Sequence, residues 1–478
     1  MKNLKTIIGL AAMALCLGFA SCSSDDDAPS YSTAAVSNSE LMTILKDKGY
    51  QFNEQGNLLL DDKATSTTSL DLSGTKISQK ALAELNILPN LTDVNLSNNG
   101  YGPVFHVDSL PAQIKGLDLQ GNEIYDFEGL VDAKVVNDEV VATVLHPFNK
   151  LYLPTSCKYN VEDLMPFYTA NNGEGRATAN TIDMKMVNDK GTLEAYNTLR
   201  EIPDEYFRAY LKSKFQSLFT DETHIDISKP MSATEQGEPI HLWFQNNFAD
   251  IDKIKSIEGV EYFINNPYIH EFYVSIGYET PFNLNYIMPR NNVKGLQFTH
   301  ISTPSGFDLS KATNLSTITL SNDKYLKNID LSQTKVGNQN LDDIDATVGN
   351  LLECVNDENL ESIILPSNPV GIINTLYLEN LPLLKELNIS GINAVTSLIL
   401  LNISKCNISF PELKYVYNSG KGTLEEIPAT KRKAVLVVSE DVFNKESTKS
   451  FISKYKNNLR DRYSQYEENG AYAWSEKL

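Results

Sequence analysis

A short motif, L-x-x-L-x-L-x-x-N, recurs along this chain and limits the folds it can adopt more than any other feature. The motif is complete at residues 91–99, where valine replaces one leucine, and it returns 23 residues later at 114–122. A shorter copy at 69–75 ends on threonine, and a weaker copy spans 148–156. The L-x-L core has a period of two, which predicts a short strand with its apolar side chains on one face. One such strand cannot bury its apolar row alone, so the repetition predicts a curved solenoid built on a parallel sheet.

A second set of copies begins near residue 293 and is less regular. Several of its members start 11 residues apart, which is half the usual spacing, and gaps of 34 residues precede Phe148 and Leu360. We expect loops or broken repeats in those gaps. The Asn or Thr that closes a copy is expected to bond to backbone groups that would otherwise be unpaired at the turn. The second set starts at Val293, Leu315, Leu326, Leu360, Ile373, Leu384 and Val395.

These segments resemble leucine-rich repeats, and the half-period copies resemble the variable repeats of Bacteroidetes surface proteins. The resemblance covers most of residues 65–155 and 250–415. It implies an α/β repeat fold, namely a leucine-rich-repeat solenoid in two tandem capped blocks with irregular repeats. In such a solenoid, the residue between the two leucines of each strand faces the concave side.

Two segments have the pattern of caps that would cover the ends of repeat blocks. Residues 39–48 have helical spacing with Ser37 or Ser39 as the capping residue, and 52–60 predicts a hairpin. Pro203 opens a second helical segment, which resembles the I-P-D-x-x-F-x-x-Y-L cap of bacterial repeat blocks. Each repeat block is therefore expected to begin with a cap of its own.

The C-terminal region differs from the repeats, with an apolar strand at 433–438 and helical spacing from 440 to 466. A Gly/Asn-rich stretch at 171–175 marks the boundary between the blocks. The predicted organisation is a signal peptide at 1–21, an acidic and polar tether at 22–38, a first leucine-rich-repeat domain with its cap at 39–170, the cap of the second block at 195–250, a second leucine-rich-repeat domain at 251–425 and a strand-helix cap at 430–478.

The beginning of the chain has the pattern of an export signal. Lys2 and Lys5 precede an apolar stretch at 7–19, which is too short to span a bilayer. The small residues before Cys22 resemble the lipobox of bacterial lipoproteins, and the acids at 25–27 resemble the export tag of Bacteroidetes surface lipoproteins. These resemblances imply a lipidated Cys22 and an outer-membrane protein that faces the cell exterior and is held by acyl chains alone. An ordinary secretory peptide with a chance cysteine, or a plain polar tether, is the alternative.

The charge balance is strongly acidic, with 41 Lys and Arg against 61 Asp and Glu and a net charge of −20. An acidic surface opposes binding to nucleic acid. Beyond the signal region and Cys22, the cysteines Cys157, Cys354 and Cys406 form an odd set without CxxC spacing. This set favours buried free thiols, with a single disulfide as the alternative in an exported protein.

The sequence carries no recognised catalytic or phosphate-binding motif. None of the six histidines lies within four residues of another, so paired metal ligands on one helix or strand are absent. Residues 219–228 stand where related blocks often have a calcium loop, but the alternating acids and the glycine of such a loop are missing. We therefore predict no enzyme activity, no cofactor and no bound metal.

The candidate ligand-binding residues lie between the apolar positions of the strands, on the predicted concave face. This face is polar and acidic in the first block, which suits a cationic or hydroxyl-rich ligand. In the second block, Tyr377 and Ile364 stand out because exposed apolar groups often mark contacts. The predicted site residues are Asp71, Asp93, Asn95, Asp118, Gln120, Tyr152, Gln297, Asp330, Tyr377 and Glu379.

The predicted function is non-catalytic binding of a protein or a glycan at the cell surface, in adhesion or recognition, with no nucleic-acid partner. One alternative is an accessory subunit of an outer-membrane complex. Another is a surface hydrolase whose site lies within 155–250, a region that holds His224, His241 and Trp243. A fold does not by itself imply a function, so the choice depends on the site.

Overall fold

The computed structural model describes residues 31–137, 139–172, 182–229, 240–244, 250–269, 272–338, 350–367, 371–418, 421, 423–427, 429–468 and 471–476. The predicted signal peptide, Cys22 and the acids at 25–27 lie outside the described residues. The α-helices are α1 (Ser39–Asp47), α2 (Asp62–Ser66), α3 (Gln79–Leu82), α4 (Leu164–Asn172), α5 (Glu205–Phe215), α6 (Glu261–Ile264), α7 (Glu440–Phe443) and α8 (Glu446–Tyr455). Short 3-10 helices occupy Leu85–Ile87, Val107–Ser109, Thr155–Tyr159, Gln216–Leu218 and Ile251–Lys253.

The strands are short in the first half of the chain and longer in the second. Those up to residue 201 are β1 (Thr33–Ala34), β2 (Leu58–Leu59), β3 (Ser69–Asp71), β4 (Asp93–Asn95), β5 (Val104–His106), β6 (Gly116–Asp118), β7 (Asp126–Glu128), β8 (Val131–Val136), β9 (Glu139–Val144), β10 (Lys150–Leu153), β11 (Asp183–Val187), β12 (Leu193–Ala195) and β13 (Leu199–Glu201). Those that follow are β14 (His224–Asp226), β15 (Ile240–Phe244), β16 (Phe272–Asn283), β17 (Val293–Ser302), β18 (Thr317–Ser321), β19 (Asn328–Asp330), β20 (Leu351–Val355), β21 (Ser362–Ile364), β22 (Gly371–Glu379), β23 (Glu386–Asn388), β24 (Ile392–Leu401), β25 (Asn407–Ser409), β26 (Tyr415–Asn418), β27 (Thr423–Glu426), β28 (Ala434–Ser439), β29 (Leu459–Glu468) and β30 (Ala471–Glu476).

Five parallel strands and one antiparallel strand form a sheet in the first half of the chain, here called the first sheet. Its order is β12-β11-β10-β6-β4-β3, and only β12 is antiparallel to its neighbour. Leu70, Val94, Leu117, Leu151 and Met184 stand at the same register position and are all buried. Each strand thus adds one side chain to a continuous apolar row. The sheet continues past the predicted end of the first domain, because β11 pairs with β10.

A twelve-stranded sheet, here called the long sheet, dominates the second half. Its main order is β15-β16-β17-β18-β20-β22-β24-β28-β29-β30, and only β29 and β30 pair antiparallel along it. Leu242, Val274, Leu296, Ile318 and Leu352 lie in step on neighbouring strands and are buried. One face of the long sheet therefore packs against the core.

The half-period copies do not all join the long sheet. Strands β19, β21, β23 and β25 form a separate parallel sheet, here called the short sheet. Strands of the two sheets alternate along the chain, so each repeat adds one strand to each sheet, and this explains the 11-residue spacing. The prediction that Asp330 shares a face with Gln297, Tyr377 and Glu379 is therefore wrong, because Asp330 lies on β19. Ile364 pairs with Asp330 and belongs to the short sheet as well.

The first of the two gaps between copies is filled by an antiparallel hairpin, β8 and β9, inserted before β10. The second gap includes residues 339–349, which lie outside the described residues. The irregular spacing of the first set thus reflects an insertion between strands that remain in register.

Helices α1 and α5 lie where the two caps are predicted. The capping residue of α1 is Asn38, not one of the two predicted serines, and its side chain accepts a hydrogen bond from the Leu41 N–H at 3.0 Å. Asp204 caps α5 by accepting from the N–H groups of Tyr206 (3.0 Å) and Phe207 (2.8 Å). Each cap satisfies backbone donors that the first turn of a helix leaves unpaired.

The helix predicted from 440 to 466 is wrong in its second half. Helix α8 ends at Tyr455, and β29 then runs parallel to β28, with Leu459 beside Ala434. Pairing with the edge of the long sheet is a long-range contact that overrides the weak local preference for a helix.

The asparagines that close the strands of the first sheet make the backbone bonds expected of them. The Asn99 Nδ2 group donates to the carbonyl oxygens of Leu72 (3.0 Å) and Leu96 (2.9 Å). The Asn99 N–H donates to Asn122 Oδ1 at 3.0 Å in the next repeat. These side chains therefore link one turn of the repeat to the next.

Candidate binding face

Half of the predicted site residues of the first sheet hold the chain's own turns. The side-chain oxygen of Asp71 accepts from the N–H two residues later at 3.0 Å, and those of Asn95 and Asp118 do the same. Asp330 makes the equivalent bond at 2.9 Å in the short sheet. Gln120 in turn donates through Nε2 to the Asp118 carboxylate at 3.0 Å. The bonds of the four Asp and Asn side chains are Asx turns, so these residues have a structural role before any ligand is considered.

The charges at the centre of the first sheet are paired with one another. Lys150 Nζ lies 3.1 Å from Asp93 Oδ1, and the Tyr152 hydroxyl donates to Asp183 at 2.6 Å. The ammonium groups of Lys150 and Lys185 lie 5.0 Å and 4.9 Å from the centre of the Tyr152 ring. The predicted acidity of this face is therefore compensated in part by two lysines.

The long sheet has a second face, opposite its core-packed face, which is here called the open face. It is defined by six residues that stand opposite one another on neighbouring strands: Trp243, Ser275, Gln297, Thr319, Glu353 and Tyr377. Because strands lie about 4.8 Å apart, the row extends over about 24 Å. Trp243 is 61% exposed, Gln297 and Tyr377 are half-buried, and Thr319 is buried.

The end of the open face away from Trp243 is acidic. Burial raises the pKa of Glu353, whose carboxylate accepts from the Thr319 hydroxyl at 3.5 Å. Glu379 is buried and accepts a hydrogen bond from the Tyr377 hydroxyl. Contrary to the prediction, Glu379 is therefore placed to hold Tyr377 and is not exposed to a ligand.

A hollow of about 170 Å³ opens at the Trp243 end of the open face. A Cβ atom at Gly295 would lie 2.8 Å from Cδ1 of Tyr273, so the Tyr273 ring occupies space that only a glycine leaves free. The Tyr210 hydroxyl donates to the Trp243 carbonyl at 2.6 Å, which ties β15 to helix α5. The hollow is lined by Leu242, Trp243, Tyr273, Val274, Ser275, Gly295, Gln297 and Thr317.

Three carboxylates lie close enough together in the described residues to suggest a metal site, namely those of Asp126, Glu162 and Asp163, with oxygens within 4.8 Å of one another. Arg290 donates to Asp126 at 3.2 Å and also to Glu162, and Lys311 Nζ lies 2.9 Å from Asp126. Burial raises the pKa of Asp163 well above its usual range. These two cations already supply the positive charge that a metal would bring, so the cluster is an ion network.

Among the described residues of the region named in the hydrolase alternative, His224 has a carboxylate partner. His224 Nδ1 lies 3.0 Å from Asp221 Oδ2. The Asp221 carboxylate also accepts from the N–H groups of Thr223 (2.7 Å) and His224 (2.8 Å), so it orders the turn before β14. The hydrolase alternative stays a prediction.

The three cysteines that follow Cys22 in the chain are free and buried, as predicted. Burial raises the pKa of Cys157 and of Cys354 well above the usual value, and that of Cys406 to about 11. Each thiol therefore stays protonated at neutral pH and is a poor nucleophile.

No protein-family model, curated protein or solved structure matches this chain. Across the part of the chain that the structure describes, no helix has both the length and the apolar composition to cross a bilayer. The functional assignment therefore depends on the geometry of the chain's own residues.

Of the residues that line the hollow, only Gln297 is among the site residues predicted from the sequence. The sequence points to Trp243 only as part of the region in the hydrolase alternative, and Tyr273 precedes the first recognised copy of the second set. The available signal is the alternation of Phe272, Val274 and Ile276, all of which are buried. This alternation has the period of two that predicts a strand, but it lacks the leucines of the L-x-L motif.

Proposed function

We propose that this chain is a non-catalytic surface lipoprotein of the leucine-rich-repeat type that binds an extended ligand on the open face. The observation that carries this proposal is the row from Trp243 to Tyr377, which extends over about 24 Å. A partly apolar surface of this length suits a polymer chain or a protein surface. An exposed tryptophan is also among the residues most enriched where binding energy is concentrated.

A comparison of the two sheet faces supports the open face over the first sheet. On the first sheet, Lys150, Asp93 and Tyr152 are occupied by one another or by neighbouring side chains. On the open face, the Ser275 hydroxyl and the Gln297 amide make no hydrogen bond to other described parts of the chain. Polar groups that the chain leaves to solvent are available to a ligand.

The localisation at the cell surface is proposed from the sequence alone. Cys22 follows a short apolar stretch and small residues, and the three acids at 25–27 come next. Lipidation at Cys22 would anchor the chain while leaving the repeat region in water. The acidic net charge of −20 is consistent with a ligand that is neither nucleic acid nor a polyanion.

The test is binding of the full mature chain to panels of proteins and polysaccharides. Tyr377→Ala should weaken binding of any ligand found by about fivefold or more, because it removes aromatic area from the open face. Cys22→Ala should move the chain from the membrane fraction to the soluble fraction without changing ligand affinity.

The matched control is Tyr325→Ala. Tyr325 is 53% exposed and lies outside the long sheet, just before β19, so its loss should leave affinity unchanged. Equal binding by a folded Tyr377→Ala chain, or an equal loss with Tyr325→Ala, would show that the open face is not the binding surface.

A further inference from the structure

We infer that the hollow beside Trp243 is a subsite for a neutral saccharide, with one sugar ring lying against the indole. The subsite lies at the Trp243 end of the open face. This inference therefore rests on the proposed function, and it specifies the chemical class of the ligand. Four kinds of observation support it: the aromatic surfaces, the unpaired polar groups, the missing side chain at Gly295 and the charge.

The aromatic surfaces come from two neighbouring strands. Trp243 lies on the edge strand β15 and leaves 61% of its surface in solvent, although Leu242 beside it is buried. The ring of Tyr273 on β16 lies next to Gly295 on β17. A Cβ atom at Gly295 would lie 2.8 Å from Cδ1 of the Tyr273 ring. An exposed indole offers a rigid apolar surface with one polar edge, and a sugar ring has an apolar C–H face and a polar rim.

The polar groups of the hollow match the rim of a sugar. The hydroxyl of Ser275, the amide of Gln297 and the indole N–H of Trp243 make no hydrogen bond elsewhere in the described chain. Together they supply donors and acceptors, which a hydroxyl-rich ligand needs because each hydroxyl both donates and accepts. Binding sites of this kind typically combine apolar walls with a few placed polar groups.

The glycine at 295 makes the hollow possible. Gly295 pairs with Tyr273 on β16 and with Thr317 on β18, so the glycine lies between two residues that line the hollow. Any side chain there would displace the Tyr273 ring or fill the hollow. The shape of the hollow, which has a volume of about 170 Å³, therefore depends on a glycine at this position.

The charge of the site selects a neutral saccharide over an acidic or sulfated one. The residues that line the hollow carry no charged side chain. The chain as a whole carries −20, and Glu353 lies two strands from Gln297 along the same row. An anionic polymer would therefore be repelled by the rest of the open face.

The two tryptophans of the sequence give a direct measurement. In a full mature chain carrying Trp474→Phe, the tryptophan fluorescence, excited selectively over that of tyrosine, comes from Trp243 alone. Neutral oligosaccharides of glucose, mannose, galactose and xylose are titrated into this chain. We expect at least one series to shift or quench the emission with saturation, and sulfated or uronic-acid oligosaccharides to leave it unchanged.

Three variants test whether saccharide binding depends on the residues of the hollow. Gln297→Ala and Gly295→Leu should each weaken the saccharide response about tenfold or more, because one removes the polar partner and the other fills the hollow. Trp243→Ala, followed by calorimetry, should abolish saccharide binding. The matched control Tyr325→Ala should leave the affinity unchanged, and circular dichroism checks that each variant is folded.

Each outcome supports or overturns the subsite. Saturable binding of a neutral saccharide that is lost in folded Gln297→Ala supports it. A protein ligand that is sensitive to Tyr377→Ala, with no response to any saccharide, overturns the subsite and leaves the proposed function standing. Saccharide binding that survives both Gln297→Ala and Gly295→Leu also overturns it, because the sugar then binds elsewhere.

Discussion

Asp357 is a buried acid in a position that asparagine fills elsewhere in the chain. Its Oδ1 accepts from the Asp323 N–H at 2.8 Å, as Asn122 Oδ1 accepts from Asn99, but its Oδ2 has no partner in the described chain. Asn99 uses its Nδ2 group to donate to two carbonyls, which a carboxylate cannot do. Burial raises the pKa of Asp357 to about 8, so this side chain holds a proton at neutral pH.

Asp357→Asn should stabilise the chain by roughly 1–3 kcal/mol at about pH 8.5, because the amide supplies a donor without a charge. The folded chain binds this proton more tightly than the unfolded chain, in which the pKa is near 3.8. The stability of the parent should therefore fall as pH rises from about 4 to about 8 and then level off, and the variant should lack this slope. Urea unfolding at about pH 5 and about pH 8.5 measures the difference.

The control for this prediction is Asp330→Asn, which keeps the turn-forming oxygen of an exposed residue. It should change stability by less than about 0.5 kcal/mol at either pH. If Asp357→Asn were less stable than the parent at the higher pH, the carboxylate would have a partner that outweighs its burial.

At the scale of the element, the strands of the long sheet end in one repeated conformation. Asn322, Asn356, Asn380 and Asn402 follow β18, β20, β22 and β24, and their φ angles are 62°, 59°, 54° and 52°. Asn380 Nδ2 donates to Asn356 Oδ1 at 2.7 Å, and Asn402 Nδ2 donates to Asn380 Oδ1 at 2.8 Å. Asparagine tolerates this left-handed region better than most residues, and here its amide also links successive repeats.

Asn380→Ala and Asn380→Gly separate these two roles. Both remove the amide, but only alanine has a Cβ that is strained at a φ of 54°. Asn380→Ala should therefore be less stable than Asn380→Gly by about 0.5–1 kcal/mol, once the greater flexibility of glycine in the unfolded chain is included. Chemical denaturation of the two variants measures this difference, and equal stability would mean that the turn relaxes to another conformation.

At the scale of the whole molecule, the two halves of the chain are joined by buried ion pairs. Arg290, before β17, is 3% exposed and contacts Asp126 on β7 and Glu162 after β10. Lys311, which like Arg290 belongs to the second half of the chain, also contacts Asp126. The rings of Tyr125 and Tyr286 stack beside them, with their centres 4.7 Å apart. Ion pairs and ring stacking therefore both stabilise the contact between the two halves of the chain.

Arg290→Met should destabilise the chain by about 3–5 kcal/mol, because it leaves the buried Asp126 and the partly buried Glu162 without their shared cation. The matched control Lys385→Met removes an exposed pair with Glu361 and should cost less than about 1 kcal/mol. Differential scanning calorimetry compares the two variants. A loss as small as that of the control would mean that Lys311 alone neutralises the network.

The strands at Ser69–Asp71, Asp93–Asn95, Gly116–Asp118, Lys150–Leu153 and Thr317–Ser321 lie where the L-x-L pattern predicts them, because a period of two reports local burial. The pattern is less informative about the site. It correctly finds Gln297 and Tyr377 on one sheet, but it assigns Asp330 to the same face and Glu379 to a ligand. It cannot report that Asp71 and Asp118 form turns, because that depends on backbone geometry.

The sequence by itself determines the repeated strands, the two helices predicted as caps and the burial of the three cysteines, since each follows from local spacing or residue chemistry. The tertiary structure alone decides that alternate copies belong to different sheets and that the chain after Tyr455 becomes a strand. It also places Trp243, Tyr273 and Gln297 side by side, although they lie up to 54 residues apart in the sequence. The reason is that the pairing of strands depends on contacts between segments that are distant in the sequence. A local sequence pattern does not encode these contacts.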